Sequence, residues 1–261
     1  MKIPFFQKKT IEVSKKANQP TKEEVVNRAL CLGAFWWRSQ VEILNQMSKK
    51  NAPGLIKVNK QAVELLEQWL TKEHLQQHLS KKEKNLFGKS LDSWDNQERL
   101  NGTWRKESTG ILLWALGFIN KIPPYDIEFD KKIKDKLPLL KPTESFRKEA
   151  KLRSRQEITK ARDSAQHWHW RSRTTQIMND GIKPPNNLTF QEIIKASVEL
   201  GYKEDWNPKP IDNDFPAFGK AYKDLKVEEY SIVTSIAMER HFALNWLMGY
   251  SSDWDEMSTP T

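Results

Sequence analysis

Residues 227–248 read VEEYSIVTSIAMERHFALNWLM, a segment in which charged residues interrupt a series of apolar ones. At about 100° per residue, its aliphatic side chains fall on one arc of a helical wheel. They belong to Ile232, Val233, Ile236, Ala237, Ala243, Leu244 and Leu247. Arg240 lies near the centre of this arc, Glu239 at its edge and His241 on the other side. We predict a long helix with a buried face, in which Arg240 needs a partner because an unpaired buried charge is strongly destabilising.

A second charged residue, Glu107, lies on a predicted core face within residues 101–119. The side chains that share its face are Trp104, Ile111, Trp114 and Phe118. From residue 111 onward the segment is apolar almost all round, and Gly110 and Gly117 form a strip where another backbone can come close. We predict a buried helix, and we hypothesise that Glu107 and Arg240 pair or share one buried network.

Four stretches carry the capping-box pattern, in which Ser or Thr is followed three residues later by Glu. They are Thr21 to Glu24, Ser80 to Glu83, Ser154 to Glu157 and Thr189 to Glu192. These side chains satisfy free backbone amides at a helix N-terminus, so each stretch predicts a helix start. The sequence shows no internal repeat and no convincing alternating strand. We therefore predict an all-α fold: a single globular multi-helix domain with long Pro-rich connections.

The domain organisation follows from where the helical pattern begins and breaks. Residues 1–20 are predicted to be a basic N-terminal extension, and residues 21–261 a single helical domain. Within it, residues 121–146 contain the motifs IPPYD and LPLLKP, whose four prolines break helical continuity. We interpret 121–146 as a Pro-rich crossing segment, and the alternative is a two-domain split at this point.

Charge is distributed unevenly along a chain whose net charge is +9. Residues 131–162 hold twelve Lys and Arg against four Asp and Glu, whereas residues 227–261 hold six acidic residues and one Arg. A basic region of this kind is typical of surfaces that bind nucleic acid or acidic partners. The favoured alternatives are that the two regions face each other or that the lysines form a solvated face, because 131–162 has few aromatics.

The single cysteine, Cys31, lies in the apolar run ALCLGAFWW and is interpreted as a buried, inert thiol. Without a second cysteine no intramolecular disulfide is possible, which favours a reducing compartment. No apolar run approaches the roughly 18 residues of a membrane span, and the N-terminus shows no signal-peptide h-region. We therefore expect a cytoplasmic protein with no membrane partner.

Asp163, His167 and Arg171 recur at four-residue spacing on a predicted helix, opposite its apolar stripe. One interpretation is that Asp163 orients His167 as an acid or base, since such an imidazole must hold one tautomer. The favoured alternative is a solvated ladder of ion pairs. His74 and His78 supply only two metal ligands, and the common cofactor and nucleophile motifs are absent. No metal and no cofactor are therefore expected.

Three stretches read WRKESTGILLWALGFINKIPPYD, LRSRQEI followed by RDSAQHWHWR, and ERHFALNWLMGYSSDWDEMSTPT. Together they resemble a bacterial family catalogued as domain of unknown function 4272, over about residues 20–261. By position, the family pattern falls on Trp104, Glu107, Trp114, Arg155, Glu157, Asp163, Arg171, Glu239, Arg240, His241, Trp246, Trp254 and Asp255. This chain departs from the pattern at its end, which reads TPT where the family tends to have Thr-Asp-Thr. The resemblance implies these special residues, and no activity, cofactor or substrate.

The segment SSDWDEMSTPT at residues 251–261 combines a tryptophan with acidic residues. We interpret it as a clasp, in which Trp254 adds apolar area and Asp253 or Asp255 supplies charge for the basic middle of the chain. Removing it is therefore expected to destabilise the fold.

Three kinds of function are compatible with these patterns. The first is a helical binding or interaction module that binds an unknown protein or small-molecule partner through a Trp-rich surface. The second is an enzyme of unknown reaction whose pocket collects acid/base carboxylates, an arginine anion clamp and a histidine proton shuttle. The candidates for these roles are Glu107, Asp163, Glu239, Arg240 and His241. The third, less favoured, is nucleic-acid binding through residues 131–162.

Overall fold

Helices make up most of the computed structural model, which describes residues 18–184 and 187–261. The α-helices are α1 (Lys22–Asn51), α2 (Leu55–Lys72), α3 (Lys81–Phe87), α4 (Asn96–Ala115), α5 (Glu144–Glu149), α6 (Arg155–Asn179), α7 (Phe190–Lys203) and α8 (Val227–Leu247). Short 3-10 helices lie at Gln76–His78, Lys131–Lys136 and Tyr222–Asp224. The predicted all-α class is confirmed as a predominantly helical single domain. The predicted extension at 1–20 lies almost wholly outside the described residues.

The predicted helix starts are confirmed at all four capping boxes. At the start of α1, α3, α6 and α7, the Ser or Thr side chain accepts a hydrogen bond from the Glu backbone N–H, and the Glu carboxylate accepts one in return. A further capping box opens α4, with Asp95 as the N-cap and Glu98 as its partner. The Ser/Thr pattern does not include this start, although an Asp carboxylate accepts the same hydrogen bond.

Four long helices build the centre of the domain. α1 packs against α4, α4 against α8 and α8 against α6, while α2 packs on α1 and α7 on α6. Eight of the eleven tryptophans are buried in this core, and Trp37, Trp104 and Trp206 are half-buried. The tryptophans therefore stabilise mainly the core, and the expected Trp-rich surface reduces to three partly exposed side chains.

The two glycines that were predicted to form one strip on α4 have different roles. At Gly110 the ring of Phe129 packs so closely that a Cβ would overlap it. Gly117 lies beyond the end of α4 and is exposed, with left-handed backbone (φ +80°). A glycine in this conformation commonly ends a helix. The predicted approach of another backbone is found at Gly117, where the carbonyl oxygen of Lys151 lies 3.3 Å from the position of a Cβ, although Gly117 is beyond the helix end. At Gly110 the close neighbour is a side chain instead of a backbone.

A two-stranded antiparallel hairpin, which the sequence did not predict, joins β1 (Pro216–Ala217) to β2 (Lys220–Ala221). Phe218 and Gly219 form its turn, and both have positive φ. Turns of this kind match the natural twist of paired strands. Strands of two residues are too short to show an alternating pattern, which explains why no strand was expected here.

The C-terminal segment packs across α8 and the start of α3. Trp254 is buried and contacts the rings of Phe242 and Trp246 edge to face. Asp255 accepts a hydrogen bond from the backbone N–H of Lys82 at 2.8 Å. The predicted clasp through Trp254 is therefore present, but the charge of Asp255 meets the first turn of α3 instead of the basic middle of the chain.

Candidate ligand-binding cleft

Glu107 and Arg240 form a buried ion pair between α4 and α8, as the sequence predicts. Arg240 Nε lies 2.9 Å from Glu107 Oε2, and both side chains are fully buried. The other carboxylate oxygen accepts a hydrogen bond from the backbone N–H of Phe129 at 2.8 Å. The guanidinium carbon lies 5.1 and 4.9 Å from the ring centroids of Tyr125 and Phe129. Burial raises the pKa of Glu107, and the charge of Arg240 and the Phe129 N–H act in the opposite direction.

The remaining donors of Arg240 hold part of the predicted crossing segment, residues 122–127, which we call the first wall. Arg240 Nη1 donates to the carbonyls of Pro123 and Pro124 at 2.6 and 3.2 Å, and Nη2 donates to the carbonyl of Ile127 at 2.8 Å. Buried carbonyls need donors, and a Pro-Pro segment offers few of its own. The charge on the core face of α8 therefore serves an irregular segment of the chain as well as Glu107.

A second buried arginine fixes residues 206–219, which we call the second wall. Arg171 binds Asp214 through two parallel hydrogen bonds, Nε to Oδ1 and Nη2 to Oδ2, each of 2.7 Å. Asp214 also accepts from the backbone N–H groups of Phe215 and Lys223, at 2.8 and 3.0 Å. Such a planar fork holds a carboxylate in one orientation. The predicted solvated ladder is therefore wrong for Arg171, because the second wall covers this face of α6.

His167 is also buried on this face, and the prediction that it lies in a solvated ladder is wrong as well. Its Nε2 lies 2.8 Å from Ser197 Oγ of α7, and a Cβ at Gly201 would overlap both His167 and Asn207. By residue type, Ser197, His167 and Asn207 resemble a nucleophile, a base and an orienting residue. However, Ser197 is fully buried, and burial lowers the pKa of His167 to about 3, so the imidazole is a very weak base. We conclude that this group joins α6 and α7 to the second wall.

The two walls and α6 enclose a cleft of about 520 Å³. Its lining is mostly apolar and combines prolines from both walls with the rings of Tyr125, Trp168 and Trp206. Tyr125 stacks on Trp168 with ring centroids 5.0 Å apart, and Ser164 Oγ donates to the Trp206 carbonyl at 2.6 Å. Small-molecule sites commonly have volumes of roughly 300–1,000 Å³ and such a lining. The cleft therefore has the size and chemistry of a ligand site.

The first and second walls are also joined to each other. Asp126 lines the cleft, and its Oδ2 accepts a hydrogen bond from the backbone N–H of Phe218 at 2.7 Å. Each wall is thus held from behind by a buried arginine and at the cleft by this contact. The chain itself fixes the shape of the cleft.

Sequence reasoning missed this cleft because residues 122–127 were interpreted only as a connection. One signal was present: the connection carries Ile122, Tyr125 and Ile127, whereas linkers in solvent are usually polar. Large apolar residues between prolines indicate a connection that is packed against something. No comparable signal marks the second wall, whose residues come together only through contacts with α6 and α7.

Glu239 and His241 lie on either side of the buried arginine and make separate contacts. Glu239 accepts hydrogen bonds from Arg105 Nη1 at 3.0 Å and from Ser108 Oγ at 2.7 Å. The Nδ1 atoms of His241 and His169 lie 3.1 Å apart between α8 and α6. Burial lowers the pKa of His241 to about 3 and that of His169 to about 4. Both imidazoles are therefore neutral, and the Nδ1–H of one donates a hydrogen bond to the Nδ1 of the other.

Asp163, the remaining candidate, is half-buried and lies 2.9 Å from the guanidinium of Arg162. With Arg155 it lines a shallow depression on the surface of α6. Of the five candidate catalytic residues, Glu107 and Arg240 pair with each other and the other three contact different residues. None of the five lines the cleft between the walls. Their placement does not favour one shared acid/base pocket.

The other residues of the family pattern contribute to packing and to helix ends. Three of its tryptophans are buried and one is half-buried: Trp114, Trp246 and Trp254, and Trp104. Glu157 completes the capping box of α6, and Arg155 is exposed in the first turn of the same helix. Burial and capping thus account for the tryptophans and for Glu157, and nothing in the structure explains Arg155.

In the ranges 18–184 and 187–261, no group of three or more His, Cys, Asp and Glu side chains is placed to hold a metal ion. Cys31 is fully buried, and burial raises the pKa of its thiol to about 12. A thiol with so high a pKa is a poor nucleophile. Over the same two ranges, no helix is both long and apolar enough to cross a membrane.

Comparison with known proteins identifies a family. No curated protein and no solved structure matches the chain. A family model described as Domain of unknown function (DUF4272) matches residues 7–193. The match includes Glu107 and the first wall, and it ends before the second wall and α8, so the resemblance of the closing segment stays a prediction. Because the model matches well over half of the chain, the protein belongs to the DUF4272 family.

Proposed function

We propose that the protein is a binding module of the bacterial cytoplasm, and that its site is the cleft between the first and second walls. The ligand has a flat, apolar part that fits between the aromatic rings and the prolines of the lining. The cytoplasmic placement is supported by the single, buried thiol of Cys31.

The observation that carries the proposal is that a buried arginine and carboxylate hold each wall. These pairs are Arg240 with Glu107 and Arg171 with Asp214. Buried ion pairs add little net stability compared with apolar side chains of similar volume, so stability alone does not account for them. A site that is rigid before binding loses less conformational entropy when the ligand enters. The two pairs therefore suit a preformed ligand site.

The test is ligand-observed NMR by saturation transfer, with indole, quinoline and p-cresol as probes. Ala161 of α6 lines the cleft and is half-buried, so Ala161→Trp should fill it. Ala62→Trp places the same side chain at a half-buried alanine of α2, outside the cleft, and is the matched control. We expect the probes to bind the wild type and the control, and to lose binding to Ala161→Trp. Equal transfer with Ala161→Trp, or none with the wild type, would refute the proposal.

A second candidate function is binding of a nucleic acid by the basic region 131–162. Lys131, Lys132, Lys134 and Lys136 are exposed, and among the described residues none of them forms an ion pair. Uncompensated charges of one sign attract phosphates. These four lysines are therefore the residues to test.

This candidate predicts affinity for a short DNA or RNA duplex that falls steeply with salt. Changing the four lysines to Gln should reduce the slope of log affinity against log salt by up to about 3.6. Four Lys→Gln changes on α2 and α7 provide a control with the same change in net charge. A salt slope that is the same in both variants would remove this candidate.

A further inference from the structure

Among the described residues that line the cleft, Asp126 is the one charged side chain. It is half-buried, and its Oδ2 is occupied by the N–H of Phe218. Within the described part of the chain, its Oδ1 accepts no hydrogen bond. The cleft therefore presents a carboxylate oxygen beside an apolar, aromatic lining.

The positive charges close to the cleft do not cancel this carboxylate. Arg240, behind the first wall, is neutralised by Glu107. Three more cations adjoin lining residues in the sequence, and each has an acidic partner: Lys160 with Asp205 at 2.6 Å, Arg162 with Asp163 at 2.9 Å, and Lys220 with Glu229 at 2.8 Å. Lys121 and Lys209 adjoin other lining residues but are exposed, so solvent and salt screen their charges. The local charge of the cleft is thus negative.

The aromatic rings of the lining also favour a positively charged ligand. Trp206 is half-buried and meets His167 edge to face, and Trp168 stacks on Tyr125. The face of an indole ring attracts cations, above all where water is partly excluded. A ligand cation near these rings would therefore meet two attractive groups, a carboxylate and an indole.

From this juxtaposition we infer that the cleft selects an organic cation: an amine whose flat, apolar body packs among the prolines and tryptophans while its ammonium group pairs with Asp126. This inference rests on the proposed function, because it names the class of ligand for the same site. It excludes anionic ligands and ranks a neutral ligand below the amine of the same shape.

The experiment compares amines with alcohols of matched shape: tryptamine with indole-3-ethanol, and phenethylamine with 2-phenylethanol. Titrations followed by NMR or calorimetry should show the amine binding the wild type about fivefold more tightly, as expected for a partly exposed ion pair. In Asp126→Asn this preference should vanish while the affinity of the alcohol stays within about twofold. The Asn side-chain oxygen can still accept the Phe218 N–H, so the walls stay joined.

Two further variants separate the local charge from other effects. Asp126→Glu keeps the carboxylate and should retain the preference for the amine. Asp180→Asn changes the net charge equally at the exposed end of α6, and it should leave the preference unchanged.

Equal affinities of amine and alcohol for the wild type would overturn the inference while leaving the proposed function intact. The same holds if Asp126→Asn keeps the preference for the amine. If neither member of either pair binds the wild type, the proposed function fails and the inference fails with it.

Discussion

Lowering the pH from about 7 to about 5 should destabilise the fold strongly, because three histidines are buried as neutral groups. Burial lowers the pKa of His167 and His241 to about 3 and that of His169 to about 4. The positive charges of Arg162 and Arg173 act in the same direction, on His241 and on His169 respectively. In the unfolded chain each imidazole regains a pKa of about 6.5. The unfolded state therefore takes up protons that the folded state excludes.

The size of the effect follows from these pKa values. Each neutral histidine contributes to the free energy of unfolding. This contribution is fully present above about pH 6.5, and it is lost as the pH falls toward the pKa of the folded state. One pKa unit corresponds to about 1.4 kcal/mol, so each histidine lowers the free energy of unfolding by roughly 2 kcal/mol between about pH 7 and 5. Three histidines together lower it by roughly 6 kcal/mol, comparable with the whole stability of many domains. Carboxylates with lowered pKa titrate mostly below this range and contribute little. Glu107, whose pKa burial raises, acts in the opposite direction, because its carboxyl takes up a proton more readily in the folded state than in the unfolded state.

Urea unfolding followed by tryptophan fluorescence at the two pH values measures this difference. The double change His169→Gln and His241→Gln removes two of the three sites, so the pH dependence should fall by about two thirds even if the variant is less stable at neutral pH. His74→Asn is the control, because His74 is exposed and its left-handed backbone suits Asn. A wild-type loss below roughly 2 kcal/mol would contradict the reasoning, and so would an unchanged pH dependence in the double variant.

Two further predictions concern the buried network and the C-terminal segment. Arg240→Met should lower the free energy of unfolding by roughly 3–5 kcal/mol, because it leaves Glu107 buried without its partner. Adding Glu107→Gln should recover only part of this loss in urea unfolding, since carbonyls of the first wall still lack their donor. Full recovery would show that the hydrogen bonds to those carbonyls do not stabilise the fold. Trp254→Ala should cost roughly 3–5 kcal/mol by cavity formation, and deleting residues 251–261 should cost at least as much. An unchanged melting temperature in either variant would show that the segment does not hold the fold together.

The pairing of Glu107 with Arg240 could be predicted because it depends on two local facts and one general rule. Helical periodicity places each charge on an apolar face, and a buried charge without a partner is too unfavourable to persist. The two helices that carry these misplaced charges were therefore expected to meet. Their partners in the first wall could not be predicted in the same way, since no periodicity links a helix to an irregular segment.

The opposite face of α6 shows where periodicity stops being informative. A helical wheel groups His167 with Arg171, but it does not say whether solvent or protein covers them. Here α7 and the second wall cover them and supply Ser197 and Asp214 as hydrogen-bond partners. Trp170, next to Arg171 in the sequence, was the available hint, because a large apolar side chain on a supposedly solvated face indicates a cover.

Arg240 and the first wall suggest a rule that extends beyond helical periodicity. An irregular segment that packs on the core must find donors for its carbonyls, and consecutive prolines remove the local N–H groups that a turn would use. Arginine supplies five donors in one plane, which suits several carbonyls and one carboxylate together. Where a sequence contains both an arginine on a core face and an apolar Pro-Pro segment elsewhere, we expect the arginine to donate to the carbonyls of that segment. In this protein, the charge that looks misplaced on α8 is the residue that gives Pro123 and Pro124 a fixed position, and with them one side of the cleft.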